Sequence, residues 1–74
     1  MTYKELIPYL QDRHFYPHVS LTQKKDSTEI EWLWLECSPI MSEIKLPKVR
    51  EVLPEGFRAD YISNIQEIHI KKNA

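Results

Sequence analysis

Four side chains in this 74-residue chain have the chemistry to hold a metal ion or to attack a substrate. They are His14, His18, Cys37 and His69. Imidazole and thiolate groups are common zinc ligands, and a thiolate beside an imidazole is a common nucleophile. Their spacing matches no strong ligand signature, and no third group is evident that would orient a histidine beside Cys37. We therefore expect no metal, no cofactor and no catalysis.

Carboxylates are the second group of side chains that could carry chemistry. Glu29, Glu31 and Glu43 are predicted to share one face of a sheet. A hydrolytic pair of carboxylates needs a pocket and a partner acid, and a domain of this size with one sheet seldom forms a deep pocket. Asp and Glu are rarely buried, so the cluster is interpreted as a solvated face.

Length and composition narrow the class of protein further. At 8.9 kDa, with 42% hydrophobic and 28% charged residues, the chain is predicted to be one globular domain spanning residues 1–74. Its one glycine excludes a glycine-rich phosphate loop, and its one cysteine excludes a disulfide framework. No signal peptide and no membrane span are visible in the sequence, so we expect a cytoplasmic protein that does not bind membranes.

The helices and strands that position these residues can be predicted from helix-capping residues and from the spacing of apolar residues. Thr2 and Glu5 have the spacing of a capping box, which predicts a helix over residues 3–13. Residues 18–22, 30–35 and 40–46 alternate between apolar and polar positions, and β-branched residues and tryptophan are enriched among them. This pattern predicts three strands that form an antiparallel meander.

Turn lengths predict which strand residues lie opposite each other. An even-length loop around Lys25-Asp26 places Val19 opposite Trp32 and Leu21 opposite Ile30. Cys37-Ser38-Pro39 is interpreted as a three-residue turn into the third strand. That turn places Glu31 opposite Lys45, an attractive pair of opposite charges.

The last third of the chain is predicted to contain a second helix and a hairpin. Pro47 fits the first helical position and Gly56 fits the exit from the helix. A turn at Ser63-Asn64 then pairs Ala59 with Ile68, and it pairs Phe57 with Ile70. The predicted fold is a small two-layer α+β domain: a helix, a three-stranded antiparallel meander, a helix and a C-terminal hairpin.

The alternation divides the predicted strands into a core face and an outer face. Residues expected in the core are Val19, Leu21, Ile30, Trp32, Trp34, Ile44 and Leu46. The outer face carries an apolar cluster of Tyr16, Leu33, Leu35 and Met41, with a polar rim of His18, Glu31 and Lys45. Exposed clusters of this kind usually mark an interface, although the chain itself could cover this one. We predict that the cluster binds another protein or a second copy of the chain.

Nucleic acid is the alternative partner. The candidate contacts are Lys24, Lys25, Lys48, Arg50, Lys71 and Lys72. A formal net charge of −1 argues against binding driven by bulk charge. The sequence therefore predicts a small non-enzymatic protein-interaction module of the regulator, adaptor or inhibitor type, with nucleic-acid binding as the second hypothesis.

Overall fold

Two helices and four strands make up the computed structural model, which describes residues 1–73. They are α1 (Tyr3–Gln11), β1 (His18–Gln23), β2 (Thr28–Glu36), α2 (Pro39–Val52), β3 (Phe57–Ile62) and β4 (Glu67–Lys72). The strands form one antiparallel sheet in the order β1-β2-β4-β3, so β1 and β3 are its edges. The predicted α+β class is confirmed.

Helix α1 begins at the predicted capping box. The backbone N–H of Glu5 donates to Thr2 Oγ1 at 3.2 Å, and the backbone N–H of Thr2 donates to Glu5 Oε1 at 2.9 Å. Two of the four free N–H groups at the helix start are thereby satisfied. Leu6 and Leu10 lie one turn apart on the buried side of the helix and are fully buried.

The predicted third strand is wrong, because residues 40–46 belong to helix α2. Ser38 is the N-cap, and its Oγ accepts a hydrogen bond from the backbone N–H of Met41 at 3.3 Å. Pro39 occupies the first turn, where its missing N–H costs no hydrogen bond. Pro47 therefore lies inside a helix that begins eight residues earlier than predicted. The helix ends at Val52 with Leu53 as an extended C-cap, so Gly56, with φ of 97°, is left-handed as expected but lies in the turn before β3 and not at the helix exit.

Because of a β-bulge in β2, the register of the first hairpin differs from the predicted one. Leu21 pairs with Ile30 as predicted, but Val19 pairs with Leu33 and not with Trp32. Between these pairs Glu31 has no partner in β1, so β2 contains one extra residue. Because side chains alternate along a strand, the extra residue moves every following side chain of β2 to the opposite face.

From Trp32 onward, the bulge places the side chains of β2 on the face opposite to the predicted one. Leu33 and Leu35, expected on the outer face, are 0% and 4% exposed and pack in the core beneath the helices. Trp32 and Trp34, expected in the core, lie on the opposite, helix-free face and are partly buried. The other core residues are Leu6, Leu10, Cys37, Val49, Phe57, Ala59, Ile68 and Ile70.

The C-terminal hairpin forms with a different register from the predicted one. Ala59 pairs with Ile70 and Tyr61 pairs with Ile68, whereas we expected Ala59 to pair with Ile68. The connection between β3 and β4 has four residues, 63–66, in place of two. Gln66 takes a left-handed backbone conformation there, with φ of 54°. The two additional turn residues shift the pairing by two residues along β4.

Candidate functional site

Helix α2 is apolar on two of its sides. Val49 faces the core and is fully buried, and Leu46 packs against the same cluster. On the other side Ile40, Met41 and Ile44 are 81%, 48% and 52% exposed. Ile40 and Ile44 are one turn apart and Met41 is adjacent, so the three side chains form one continuous surface. We call this surface the α2 stripe.

Contacts near the C-terminal end of α2 hold the helix in place. The Nε of Arg50 donates to the carbonyl oxygen of Ala59 at 2.9 Å, and a terminal nitrogen of Arg50 lies 3.6 Å from the Asp60 carboxylate. The hydroxyl of Tyr9 donates to the carbonyl oxygen of Val52 at 2.6 Å. The helix is thus attached to both β3 and α1, and the α2 stripe is held in a fixed orientation.

The start of α2 is attached to the sheet through Cys37. Its carbonyl oxygen accepts a 3.0 Å hydrogen bond from the Tyr61 hydroxyl. Burial raises the pKa of that hydroxyl, and the nearby thiol of Cys37 raises it further. The thiol is itself buried and directed at the carbonyl oxygen of Ser38, at 3.5 Å. Cys37 is therefore held between the sheet and the start of α2.

The predicted outer-face cluster does not assemble. Leu33 and Leu35 lie in the core, so the prediction that they are exposed is wrong. Tyr16 is 63% exposed in the loop before β1, and Met41 is exposed on α2. Of the four apolar residues predicted to bind a partner, only these two reach the surface, and they belong to different elements.

The predicted polar rim is also dispersed. Glu31 is the exposed bulge residue of β2, whereas Lys45 lies in helix α2. The expected cross-strand pair between them is therefore wrong, because Lys45 is not in a strand. His18 lies on the helix-free face, where its ring stacks on Trp34 with ring centroids 4.3 Å apart.

On the helix-free face, aromatic and imidazole rings pack against one another. Trp32 stacks on His69 with centroids 5.2 Å apart, and the Nζ of Lys71 lies 4.7 Å from the Trp32 ring centroid. Trp34 is stacked on His18 in the same way. These contacts occupy ring faces that a nucleic-acid base would need for stacking.

His69 and Glu67 form the one histidine–carboxylate pair among residues 1–73. Their Nε2 and Oε1 atoms lie 2.9 Å apart, and His69 is 8% exposed. No nucleophilic side chain hydrogen-bonds to this histidine in the described part of the chain. Nor do three or more His, Cys, Asp or Glu side chains come together there as potential metal ligands.

The basic residues of the nucleic-acid hypothesis lie on several surfaces. Lys24 and Lys25 are in the loop between β1 and β2, and Lys48 is on α2. Arg50 is bonded to β3. Lys71 and Lys72 are adjacent in β4, so their side chains leave opposite faces of the sheet. They do not form one basic stripe.

Ile40 and Ile44 are the site residues that sequence reasoning missed. Both were assigned to a strand, and Ile44 was assigned to its core face, yet Ile44 is half exposed on a helix. The signal that could have identified them is Ser38-Pro39, which is a favourable pair for an N-cap and a first helical position. With a helix beginning there, Ile40, Met41 and Ile44 fall on one side.

The fold and this surface define a small α+β domain with two helices on one face of a four-stranded antiparallel sheet. Comparisons with protein-family models, with curated proteins and with solved structures found no match for the chain. Neither helix within residues 1–73 is long and apolar enough to cross a membrane.

Proposed function

We propose that the protein is a small non-enzymatic interaction module, of the regulator, adaptor or inhibitor type, that binds a partner protein through the α2 stripe. The observation that supports this proposal is the exposure of Ile40, Met41 and Ile44, at 81%, 48% and 52%. Contiguous exposed apolar side chains usually mark an interaction surface. The single free cysteine is consistent with a reducing compartment, and we propose the cytoplasm.

The expected partner presents a short apolar groove. Ile40 and Ile44 are spaced i, i+4, and Met41 and Ile44 are spaced i, i+3, which are spacings of a helix that lies in such a groove. Lys48 and Glu51 continue the same side of α2 for a further two turns, and both are exposed. The groove is therefore expected to be apolar where it meets the N-terminal half of α2 and polar where it meets the C-terminal half.

Burial of the stripe supplies the driving force for binding. Full burial of an isoleucine side chain is worth about 1.5–3 kcal/mol relative to leaving it in water. Helix α2 is already fixed by the contacts of Arg50 and Val52, so binding costs little conformational entropy. A rigid helix with two exposed isoleucines is a suitable anchor for a modest but specific complex.

Protein is favoured over nucleic acid as the partner. The ring faces of Trp32 and Trp34 are in contact with neighbouring side chains. The basic residues are dispersed, and Arg50 and Arg58 are paired with Asp60 at 3.6 and 3.5 Å. The proposal thus predicts salt-tolerant binding, whereas contacts to phosphates weaken steeply as salt increases.

The test begins with capture of the partner from nuclease-treated extract of the source organism, followed by calorimetry with the purified partner. Ile40→Gln with Ile44→Gln removes the apolar surface without a change in charge, and we expect affinity to fall by at least about tenfold. Tyr16→Gln, at a residue that is 63% exposed elsewhere, is the matched control and should leave affinity unchanged. Unchanged affinity in the isoleucine variant, or binding only to nucleic acid, would contradict the proposal.

A further inference from the structure

The two edges of the sheet are built differently. At the β3 edge, the Nε of Arg50 donates a 2.9 Å hydrogen bond to the carbonyl oxygen of Ala59. Arg58 and Asp60 add exposed charges to the same strand. Charged side chains and covered backbone groups are the usual means by which a sheet edge is protected against pairing with another strand.

The β1 edge has no such protection. Its sequence, His18–Gln23, contains no Asp, Glu, Lys, Arg or Pro. No strand among residues 1–73 pairs with its outer side. Val19 and Leu21 are 39% and 60% exposed, although they point to the face of the sheet that the helices cover. An uncharged edge with exposed apolar side chains favours the addition of another strand.

A groove lies beside this open edge. It has a volume of about 490 Å³, and its lining combines the side chains of Tyr3, Val19, Leu21 and Ile30 with polar and charged residues, Lys4 and Glu29 among them. The groove separates the start of α1 from β1, so the helix layer stops short of the edge of the sheet. A strand added to β1 would place its own inward-facing side chains beside Val19, Leu21 and Ile30, the apolar part of this lining.

We infer that β1 pairs antiparallel with β1 of a second copy of the chain, across a two-fold axis at Ser20. Opposed residues in a sheet point to the same face, so one residue of β1 must lie opposite its own copy, with the axis midway between the two. With the axis at Ser20, Val19 lies opposite Leu21 of the second copy, and this apolar pair forms twice. With the axis at Leu21, Val19 would lie opposite Gln23, and with the axis at Val19, Leu21 would lie opposite Pro17, so the axis at Ser20 is selected.

A second copy fits this edge better than a foreign strand for reasons of charge and symmetry. Pairing about Ser20 places His18 opposite Thr22 and brings no two Asp, Glu, Lys or Arg side chains together. The interface is self-complementary, as a two-fold contact must be. The product is a continuous eight-stranded sheet with all four helices on one side. The inference does not depend on the partner proposed for the α2 stripe.

Oligomeric state tests the inference directly. Light scattering coupled to size-exclusion chromatography should give a mass that approaches twice that of the monomer as protein concentration increases. Val19→Lys with Leu21→Lys places like charges on both copies at the new interface and should give a monomer at every concentration. Ile40→Gln with Ile44→Gln, on α2, is the control and should remain dimeric. A wild-type monomer at the highest soluble concentration, or loss of the dimer in the α2 variant alone, would overturn the inference.

Cysteine cross-linking tests the register without relying on the lysine variants. In a Cys37→Ala background, Ser20→Cys places two thiols across the axis, where opposed Cα atoms are about 4.5–5.5 Å apart and can form a disulfide. Thr22→Cys places its thiols four residues apart along the strand, at about 13 Å, which is too far. We expect the first variant to be oxidised to a covalent dimer and the second to remain reduced. Cross-linking of Thr22→Cys, or of neither variant, would contradict the register.

Discussion

The hydroxyl of Tyr9 donates a 2.6 Å hydrogen bond to the carbonyl oxygen of Val52, and this contact joins α1 to the last turn of α2. Arg50, two residues earlier, bonds to β3 from the same part of the helix. The C-terminal half of α2 is therefore attached to α1 and β3, while its start is attached to the sheet through Cys37. The N-terminal half carries Ile40 and Ile44, whose side chains extend away from the core. The two exposed isoleucines therefore lie between two points at which the helix is held, Cys37 and Arg50.

The first prediction concerns the stability of the stripe variant. Ile40→Gln with Ile44→Gln should change the free energy of unfolding by no more than about 0.5 kcal/mol, because both residues are exposed and glutamine is a good helix former. Urea denaturation followed by circular dichroism measures this change. A loss of several kcal/mol would mean that the two isoleucines belong to the core.

The second prediction concerns the core face of β2. Leu33→Ala should destabilise the fold by about 2–5 kcal/mol, because Leu33 is fully buried among the core residues. A domain of this size has little stability to lose, so the variant should be largely unfolded on warming. Ile65→Ala, at a residue that is 50% exposed in the connection between β3 and β4, is the control and should have a much smaller effect. Equal melting temperatures for the two variants would contradict the assignment of faces.

Much of the fold could be predicted from local signals in the sequence. The Thr2–Glu5 capping box gave the start of α1, and Gly56 was correctly expected to be left-handed. Leu21 opposite Ile30 followed from the even length of the first loop. Each of these features depends on residues that are close together in the chain and whose chemistry favours one conformation.

The assignment of faces could not be predicted, because it depends on one unpaired residue. Glu31 has no property that marks a bulge, yet its insertion reverses the faces of Trp32 and Leu33. Residues 40–46 were ambiguous for a different reason. Ile40, Ile44 and Leu46 satisfy a strand alternation, while Ile40 and Ile44 also satisfy a helical spacing. Packing against the sheet, with the Ser38 cap, selects the helix.

A third prediction follows from the end of α1. His14 has φ of 67°, a left-handed conformation, and the N–H of Phe15 beyond it bonds to the carbonyl oxygen of Leu10 at 3.0 Å. Glycine adopts this conformation without the steric cost that a Cβ carries. His14→Gly should therefore stabilise the fold by about 1 kcal/mol, measured as an increase in the urea midpoint. His14→Val should be destabilising, and the opposite order would contradict the helix ending described here.

A fourth prediction concerns the acid dependence of the capping box. Hydrogen bonds from Thr2 lower the pKa of the Glu5 carboxyl below its usual range. A carboxyl whose pKa is lower in the folded state adds stability above its unfolded pKa, near about 4.3, and loses that contribution as pH falls through the folded value. Glu5→Gln keeps an acceptor but does not titrate at this position.

The melting temperature of wild type should accordingly exceed that of Glu5→Gln by a constant amount near neutral pH. The difference should shrink as the pH falls below about 4.3. Thermal melts of both proteins over a pH series measure it. A difference that stays the same throughout the acid range would show that the Glu5 carboxylate does not contribute through its charge.

The most direct test of the central claim is NMR chemical-shift mapping of the 15N-labelled chain with its purified partner. We predict that the largest backbone shift changes occur at Ile40, Met41 and Ile44, and that amides near Trp32 and Trp34 change little. Changes centred on the two tryptophans, with α2 unaffected, would contradict the claim that the protein binds its partner through the exposed side of its second helix.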